Sequence, residues 1–539
     1  MRTRSLATYP AIPAAEPTPA TEPTWDLLIV GSGPVGLTIA NELAGSSIRV
    51  LIVESGDVRP ESAADDLDRF ENVGEPRVMD GAALRTRVFG GTSSIWSGRC
   101  TPFDDIDFEQ RPWIPFSGWP IAPLQLTPFL QRASDRLGLG RHPYDDGLWS
   151  QLRKQPRSQF DTAWLRSHFW QYSHDRECPR DFTHFGAQFR RRPPPNVEVV
   201  LQSTVTRMDF GPSGRVFNGV EVAAPDNTRR TIRARRAVLC AGGIENARLL
   251  LASLKGPQRT LAADIDATGR FLMDHPRSTI GTFSGRDARR IGDVLGLYRF
   301  KTEGRRRYFT HGIALSSEAQ RREQLLNCAA WLTEVRAPDD PWDAMRRLWL
   351  ERTRSRRDIG AVVTNLPLVG RGAWRYLARE RGVSHKCDVV NLDCLVEQVP
   401  DPNSRVMLSD KTDRFGVPLA RIDWKIAPLE KTTISRFASI IEEELKRQHL
   451  PLPNLAAWVR DHDRQHAELI DVAHPMGTTR MSDDPGLGVV DTNCRVHGID
   501  GLYAAGSSVF PTGGHANPTF MALALAIRLA DHLKGADRA

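Results

Sequence analysis

Long apolar runs are absent from this 539-residue sequence. Because a helix needs about eighteen or more consecutive apolar residues to span a bilayer, we predict no membrane-spanning segment. The first two dozen residues also lack the apolar core of a secretory signal, which runs for about 7 to 15 residues. They contain five prolines among alanines and threonines, a composition that favours a disordered leader over residues 1–24.

Cysteine is scarce, and its arrangement excludes two further classes of protein. The seven cysteines are an odd number and include no C-x-x-C pair. This pattern fits neither a disulfide framework nor a zinc site, so we expect reduced thiols, no metal centre and a cytoplasmic location.

The charge is concentrated in one segment. Residues 346–381 hold ten arginines against three acidic residues, which accounts for the whole formal net charge of +7. A basic run of this kind can bind nucleic acid or an acidic partner. No nucleic-acid-binding motif accompanies it, so we interpret the segment as a solvated, partly helical insertion and predict no nucleic-acid site. The overall composition, 40% hydrophobic and 25% charged, is that of a globular protein of about two to four domains.

Near the amino end, "WDLLIVGSGPVGLTIANELAGSSIRVLIVESG" has the pattern strand, glycine turn, helix, strand. Leu27 to Val30 predicts the first strand, Val35 to Leu43 the helix, and Ile48 to Val53 the second strand. A G-x-G-x-x-G turn in this context binds the pyrophosphate of a dinucleotide at the helix amino terminus. The alternative is a glycine turn in a βαβ unit that binds no nucleotide.

Each residue of the turn has an expected role. Gly31 permits the tight turn, Gly33 lets the backbone approach the pyrophosphate, and Gly36 lets helix and strand pack closely. Pro34 lies in the same turn and is counted among the cofactor contacts. Glu54, at the end of the second strand, is placed to accept hydrogen bonds from a ribose.

This unit alone leaves FAD and NAD open. Further along, "RRAVLCAGGIENARLLLAS" predicts another strand over Ala237 to Ala241, a glycine turn and a helix. Strands that return to one sheet after long excursions indicate a sheet assembled from distant segments, whereas a compact NAD domain keeps its βαβ units consecutive.

With these motifs the sequence resembles the glucose-methanol-choline (GMC) family of FAD-dependent oxidoreductases along nearly its whole length. The motifs that carry the resemblance are "GSGPVG", "RVFGGTSSIWSG", "AGGIENARLLL", "GRFLMDHP", "SRVMLSD", "HPMGTTRM" and "PTGGHANPT". The resemblance implies an α/β fold with FAD as cofactor. A Rossmann-like FAD-binding domain is then interleaved with a substrate domain built on a largely antiparallel sheet.

Two departures from the family pattern matter. Ile244-Glu245-Asn246 stands where one family signature has a Ser-Pro pair, which makes the chain more similar to the pyranose oxidase and cholesterol oxidase branches. In pyranose oxidase-like members a histidine before the tryptophan of the "GG" segment bonds covalently to the flavin. Ile95 occupies that place here, so we expect non-covalent FAD.

The resemblance assigns the catalytic residues to the last two motifs. Oxidising an alcohol requires a proton acceptor, and a neutral histidine, with a reference pKa of about 6.5, suits this. The resemblance makes His474 that base, so the rate is expected to rise with pH through its pKa. Asn517 corresponds to the second member of the family's pair, which hydrogen-bonds the same substrate oxygen. His515 is a candidate substrate contact, and His275 in "MDHP" is interpreted as structural.

Further flavin contacts are implied on both halves of the chain. The glycines that flank these motifs bring the backbone close to the flavin, and the final helix, which begins at Pro518 and Thr519, directs its dipole towards the flavin. The implied contacts are Gly90, Gly91, Thr92, Ser93, Val205, Gly506, Ser507, Pro518 and Thr519.

The predicted FAD-binding domain comprises residues 25–105, 196–278 and 471–539, and the substrate-binding domain comprises 106–195 and 279–470. "SRVMLSDKTDRFGVPLARIDWKI" predicts a hairpin of the antiparallel sheet, with its turn at Asp413 to Gly416.

The function that these residues indicate is FAD-dependent oxidation of a CH–OH group in a sugar, a polyol or a specialised-metabolite alcohol. The electron acceptor is left open between oxygen, a quinone and a carrier protein. Two alternatives remain. One is a flavoprotein lyase or decarboxylase without net alcohol oxidation, and the other is a non-catalytic flavin-binding protein.

Overall fold

The computed structural model describes residues 1, 3–4, 25–61, 64, 66–78, 85–178, 182–255, 265–350 and 355–536. The strands of this part are, in chain order, β1 (Thr3–Arg4), β2 (Trp25–Val30), β3 (Val50–Val53), β4 (Phe70–Asn72), β5 (Arg99–Cys100), β6 (Leu165–Tyr172), β7 (Val197–Val200), β8 (Thr204–Phe210), β9 (Phe217–Ala223), β10 (Arg229–Leu239), β11 (Arg277–Ser284), β12 (Gly296–Thr302), β13 (Arg305–Leu315), β14 (Cys328–Arg336), β15 (Cys387–Val396), β16 (Arg405–Thr412), β17 (Pro418–Asp423), β18 (Asn454–Leu455) and β19 (Leu502–Ala504).

The α-helices of the described residues connect these strands. They are α1 (Pro34–Glu42), α2 (Pro123–Arg136), α3 (Gly147–Gln151), α4 (Phe185–Arg191), α5 (Gly242–Lys255), α6 (Gly285–Val294), α7 (Ser317–Glu323), α8 (Pro341–Leu350), α9 (Arg356–Thr364), α10 (Leu366–Ala378), α11 (Pro428–Arg447), α12 (Ala457–Arg460) and α13 (Thr519–Ala536).

The first sheet has eight strands in the order β1-β7-β3-β2-β10-β9-β8, with β19 beside β10. The pairs from β1 to β10 and the β10–β19 pair are parallel, while β9 and β8 add an antiparallel edge. The apolar residues of β2 and β3 are buried on both faces, as expected for central parallel strands covered by helices. The glycine-turn unit is therefore the centre of a doubly wound sheet.

The predicted glycine-turn unit is confirmed almost residue by residue. β2 ends at Val30, Gly33 caps α1, and β3 ends at Val53. Proline at the first helical position suits its fixed backbone angle and its missing N–H. The apolar residues of α13 pack into the same core as β2 and β3, which explains why this carboxyl-terminal helix is apolar on nearly every face.

The second sheet is antiparallel, as predicted. Its order is β18-β11-β15-β14-β13-β6-β5, with β12 on β13, and its pairs are all antiparallel. Helix α11 buries Ile434, Phe437 and Ile441 against this sheet. The predicted α/β class, a parallel dinucleotide-type sheet combined with an antiparallel one, is confirmed.

The predicted hairpin forms but belongs to another sheet. β16 and β17 pair antiparallel around a turn in which the Gly416 amide donates to the Asp413 carbonyl. β17 then pairs in parallel with β4, so the hairpin lies in a separate three-stranded sheet. The prediction that it is part of the large antiparallel sheet was wrong, because the partner strand β4 lies more than three hundred residues earlier in the chain.

The chain passes between the two large sheets more often than the predicted domain ranges indicate. β5, at residues 99–100, already pairs with β6 of the antiparallel sheet. Helices α2 and α4 pack with the core of the first sheet, although both fall in a segment predicted for the substrate domain.

The described residues of the arginine-rich segment are largely helical. Helices α8, α9 and α10 form an excursion between β14 and β15, as predicted for a partly helical insertion. Within the predicted leader, Thr3 and Arg4 pair with Val199 and Val200, and residues 5–24 lie outside the described residues. Among the helices of the described part, none is long and apolar enough to cross a membrane.

Candidate active site

A cavity of about 460 Å³ lies where four parallel strands of the first sheet end. Loops at the carboxyl ends of parallel strands form the usual ligand crevice of a doubly wound sheet. The residues that follow β2, β3, β10 and β19 all line this cavity, and they are Gly31, Glu54, Cys240 and Ala505.

Two of the three glycines of the turn, Gly31 and Gly36, have no room for a side chain. Gly31 has a φ of +101°, and a Cβ there would lie 2.8 Å from the carbonyl oxygen of Cys240. A Cβ on Gly36 would lie 2.2 Å from the Gly31 carbonyl oxygen. The predicted roles of these two glycines, a tight turn and close packing of helix on strand, therefore match their geometry.

Glu54 is buried at the edge of this turn. Its Oε2 accepts hydrogen bonds from the Ser32 amide at 2.9 Å and the Ser32 hydroxyl at 2.7 Å, and its Oε1 accepts from the Gly56 amide at 2.8 Å. A carboxylate offers about four acceptor sites, so one stays available to a hydroxyl in the cavity. Glu54 thus fixes the glycine turn and can also accept from a ligand.

Three helices begin at the cavity. Pro34 of α1, Gly242 of α5 and Thr519 of α13 all line it. Helix amino termini carry unsatisfied N–H groups and a positive dipole end, so they attract phosphates and other anions. Together with Glu54 they form a suitable surface for a dinucleotide with a pyrophosphate and a ribose.

The structure brings most predicted cofactor residues together, but not all. Those that line the cavity are Gly31, Gly33, Pro34, Glu54, Gly91, Thr92, Gly506, Ser507, Pro518 and Thr519. Gly36, Gly90, Ser93 and Val205 lie outside its lining. The buried Ser93 hydroxyl instead donates to the Gly90 carbonyl at 2.6 Å, which stabilises the turn, and Val205 lies on β8.

His474 lies at the wall of the cavity in an anchored turn. Its amide donates to both carboxylate oxygens of Asp274, at 3.1 and 3.2 Å. Asp274 in turn binds Arg77 at 2.6 Å, and Arg77 also contacts Asp471 at 3.0 Å, with all three side chains buried. The backbone at His474 is therefore held by a buried ion network.

His275 determines which nitrogen of His474 carries the proton. The Nε2 of His275 lies 3.4 Å from the carbonyl oxygen of Gly513, which can only accept, so this nitrogen is the donor. The Nδ1 of His275 is then an acceptor, and it lies 2.9 Å from the Nδ1 of His474. His474 consequently donates from Nδ1 and keeps a free lone pair on Nε2.

Asn517 completes the pair. Its Nδ2 lies 3.4 Å from the His474 Nε2, and both residues line the cavity. A substrate hydroxyl in the cavity, within hydrogen-bond distance of both nitrogen atoms, could donate its proton to Nε2 and accept a hydrogen bond from Nδ2. This is the arrangement that an alcohol group requires.

The protein environment keeps His474 neutral. Burial lowers the pKa of His474 to about 3, with further lowering from His275 and Arg99 and an opposing effect of Asp274. Burial also lowers the pKa of His275. In place of the rise in rate through about pH 6.5 that the sequence predicts, we expect a flat profile there, because the imidazole is already unprotonated well below that pH.

Hydrogen bonds to Asp107 and Trp119 hold the glycine-rich loop before Asn517 in place. The Thr512 hydroxyl donates to the Asp107 carbonyl at 2.7 Å and accepts from the Trp119 indole at 2.9 Å. His515 points away from the cavity lining and is buried, with its Nε2 3.3 Å from the Nε2 of His168. The predicted substrate contact of His515 thus has no direct geometric support in this arrangement.

Three residues of the site were not predicted from sequence. His275 was interpreted as structural, and Asp274 and Arg77 were not considered. The "MDHP" motif was a usable signal, since an acid next to a histidine often fixes a catalytic group. Arg77 could not be found, because its partners lie 197 residues or more away along the chain.

The fold and the cavity define a dinucleotide-binding protein of the doubly wound class, with an antiparallel sheet as its second layer. Residues 400–526 match the family model described as GMC oxidoreductase. The chain is 25% identical over 570 residues to oxygen-dependent choline dehydrogenase 1 of Chromohalobacter salexigens, an alignment that covers 95% of each protein. The predicted resemblance to the GMC oxidoreductase family is therefore confirmed.

Two further likenesses were found. Paromamine 6'-oxidase of Streptomyces fradiae is 27% identical over 146 residues, which cover 27% of this chain and 26% of that protein. Pyridoxine 4-oxidase of Mesorbium loti has the same fold, with a TM-score of 0.56 at 16% identity over 94% of this chain and 99% of that one. The alignment with the paromamine oxidase thus spans about a quarter of that relative.

Proposed function

We propose that the protein oxidises a CH–OH group to a carbonyl with FAD as the electron acceptor. The proposal rests mainly on one observation: His474 Nε2 and Asn517 Nδ2 lie 3.4 Å apart, and both residues line the cavity. The helix amino termini, the glycine turn and Glu54 form the surface that FAD requires. FAD, when bound, supplies the hydride acceptor.

The roles of the protein groups follow from the histidine tautomer. The substrate hydroxyl donates its proton to His474 Nε2, while Asn517 Nδ2 donates to the same oxygen and orients it. Loss of that proton and of the carbon-bound hydride leaves a carbonyl. His275 acts as a positioning residue, because its Nδ1 accepts from His474 Nδ1 and keeps the reactive lone pair directed into the cavity.

FAD is held without a covalent bond in this proposal. Ile95 lies at the cavity, where covalently linked relatives have a histidine, and it offers no nucleophile. Ser93 supports the cofactor loop through its hydrogen bond to the Gly90 carbonyl. We also place the protein in the cytoplasm, since all seven cysteines are free thiols and such thiols persist in a reducing compartment.

The substrate class is a sugar, a polyol or a specialised-metabolite alcohol. Relatives named for choline, paromamine and pyridoxine support a small polar alcohol. The electron acceptor is oxygen, a quinone or a carrier protein.

An anaerobic screen tests this function. Small polar alcohols added to the purified holoenzyme without oxygen are expected to bleach the flavin absorption, because the cofactor keeps the two electrons when no acceptor is present. Oxygen or a soluble quinone added afterwards identifies the acceptor by the return of colour. Turnover of a substrate without any bleaching would favour the lyase or decarboxylase reaction instead.

A further inference from the structure

Arg99 lies in the wall of the cavity that also contains His474 and Asn517. It belongs to the short strand β5 at the edge of the antiparallel sheet. Among the residues that the structure describes, no carboxylate lies within ion-pair distance of its guanidinium, and its buried Nε has no hydrogen-bond partner. A guanidinium without a counter-ion inside a cavity is costly, and this points to an anionic ligand.

Aromatic rings fix the position of this guanidinium. Its central carbon lies 5.0 Å from the Trp331 ring centre, 5.7 Å from that of Trp170 and 6.0 Å from that of Tyr172. Cation–π contacts orient a guanidinium but leave its N–H groups free. Arg99 is therefore held in place while its donors stay available.

A second arginine on the same ring provides an internal comparison. Arg277 lies 5.6 Å from the Trp331 ring centre, but its Nη2 contacts Asp393 at 2.5 Å. Asp393 also accepts from the hydroxyls of Thr279 and Thr333. Within the described residues, Arg277 thus has a carboxylate partner, whereas Arg99 has none.

We propose that Arg99 binds the carboxylate of the substrate, so that the preferred substrate is a hydroxy acid such as a sugar acid. The inference rests on the function proposed above. A guanidinium fork matches a carboxylate with two parallel hydrogen bonds. One arginine balances the single charge of a carboxylate, whereas a phosphate group would bring about two charges at neutral pH.

Matched pairs of substrates test this. Gluconate against glucitol and glycerate against glycerol differ only in a carboxylate that replaces one primary alcohol group. We expect the acid of the productive pair to have a kcat/KM at least about tenfold higher, and Arg99→Leu to lower that value by about a hundredfold, since a charge-assisted bond is lost. The neutral alcohol should change by less than about threefold, and Arg99→Lys should lie between the two.

Binding without turnover separates this inference from the proposed function. A deoxy acid, which lacks the reacting hydroxyl, is titrated against the oxidised holoenzyme and followed through the flavin absorption. If the deoxy acid binds to wild type but not to the Arg99 variant, and no alcohol in the anaerobic screen reduces the flavin, this inference stands and the proposed function is wrong. A preference for the neutral partners, or equal losses for both members of a pair, would overturn the inference.

A separate observation concerns the three-helix insertion of α8, α9 and α10. Of the eighteen exposed large hydrophobic side chains in the described part of the chain, six lie between residues 349 and 377. The two exposed tryptophans of this part are both there, with Trp349 79% and Trp374 52% exposed. A concentration of exposed apolar residues indicates a surface that binds another protein or a membrane.

The insertion also has an open apolar cleft. The cleft has a volume of about 550 Å³, and it is lined by residues of α8 and α9, namely Trp342, Met345, Arg346, Leu348, Trp349, Ile359, Val362 and Val363. Among these, Arg346 alone is charged. The cleft can therefore accept an apolar chain whose charged end is anionic.

Most of the positive charge around the cleft is not neutralised within the described chain. Arg347 binds Asp358 at 2.6 Å, and Arg381 is buried inside the fold. Arg346, Arg356, Arg357 and Arg371 are exposed and form no ion pair with another described residue. A second copy of the chain would bring these like charges together, which disfavours self-association.

We infer that the insertion docks on an anionic lipid surface. Exposed tryptophan and aliphatic side chains combined with arginines are the features of an interfacial helix that lies in the plane of the headgroups. Anionic lipids supply the missing negative charge, and acyl chains match the cleft. This mode of attachment needs no membrane-spanning helix.

Vesicle sedimentation tests this docking. The holoenzyme should sediment with vesicles of phosphatidylglycerol and phosphatidylcholine, but not with phosphatidylcholine alone. Replacing Arg356, Arg357 and Arg371 together by Gln should weaken partitioning by about a hundredfold, and Trp349→Ser by about tenfold. Leu124, which is 81% exposed outside the insertion, provides the control Leu124→Ser, which should bind as wild type.

Two results would contradict the docking. Equal partitioning of the Trp349→Ser and wild-type proteins would show that the cleft is not the contact. Absence of vesicle binding with a concentration-dependent dimer, or with salt-sensitive binding to an acidic protein, would assign the surface to a protein partner.

Discussion

His474→Ala is expected to slow anaerobic flavin reduction by the alcohol substrate by about a hundredfold to ten thousandfold. The lone pair on His474 Nε2 is directed into the cavity because its Nδ1–H donates to His275 at 2.9 Å, and the Ala variant lacks this proton acceptor. Stopped-flow absorption of the flavin measures the rate directly. The variant should keep its yellow colour, because the glycine turn and Glu54 bind FAD elsewhere in the cavity.

Two matched variants control this experiment. Asn517→Ala should cost less, about tenfold to a hundredfold, since a lost hydrogen bond to a reacting oxygen is worth about 1.5 to 3 kcal/mol. His462→Asn removes an exposed histidine and should react like wild type. A His474→Ala protein that is reduced at the wild-type rate would remove His474 from the role of base.

The pH dependence of the rate of flavin reduction is a second test of His474. Burial lowers the pKa of His474 to about 3, so the imidazole is neutral over the whole working range. The reductive rate of wild type should then stay flat from about pH 5 to 8 rather than rise near the reference value of about 6.5. A sigmoidal rise centred near pH 6.5 would show that the bound cofactor restores an ordinary pKa.

The local parts of this site could be read from the sequence, whereas the contacts between distant segments could not. The glycine-turn unit was predicted to within two residues, because its strand, turn, helix and strand follow one another within about thirty residues. The three-stranded sheet was missed, because β4 pairs with β17 across more than three hundred residues.

The histidine pair shows the same limit at the level of chemistry. His275 and His474 are 199 residues apart in the chain, yet their Nδ1 atoms lie 2.9 Å apart. The sequence supplies the two imidazoles, but the tautomer depends on the Gly513 carbonyl, which is positioned by a third segment. The structure replaces the expected rise in rate with a flat pH profile for the same reason, since burial of the imidazole is a property of the assembled fold.

Acid is expected to destabilise the protein through its buried histidines. His168, His275, His311 and His515 are all at most 1% exposed, and burial lowers the pKa of each, to about 3 for His311 and His515. In the unfolded chain these histidines bind protons near pH 6.5, whereas in the folded chain they stay neutral. The free energy of unfolding is therefore undiminished by them above pH 6.5 and decreases as the pH falls towards 3. At pH 5 His311 and His515 each cost about 2 kcal/mol.

Three carboxyl groups act in the opposite direction. Burial raises the pKa of Glu430 to about 8, that of Asp107 well above its usual value and that of Asp209, so each makes the fold more stable as the pH falls towards the pKa of the unfolded chain. Four buried histidines outnumber these three groups, and the expected net effect between pH 7 and 5 is a loss of stability. Urea unfolding of the holoenzyme across this range measures it.

A single variant isolates the share of one histidine. The His311 ring stacks on Phe169 at 4.6 Å, and its Nδ1 lies 3.2 Å from the Val294 carbonyl oxygen. His311→Phe keeps the stacking and loses the hydrogen bond, a cost of about 1 kcal/mol that does not depend on pH. The variant should therefore be less stable than wild type at pH 8 and gain about 2 kcal/mol relative to it by pH 5. A stability difference that stays constant between these pH values would show that His311 does not contribute to acid unfolding.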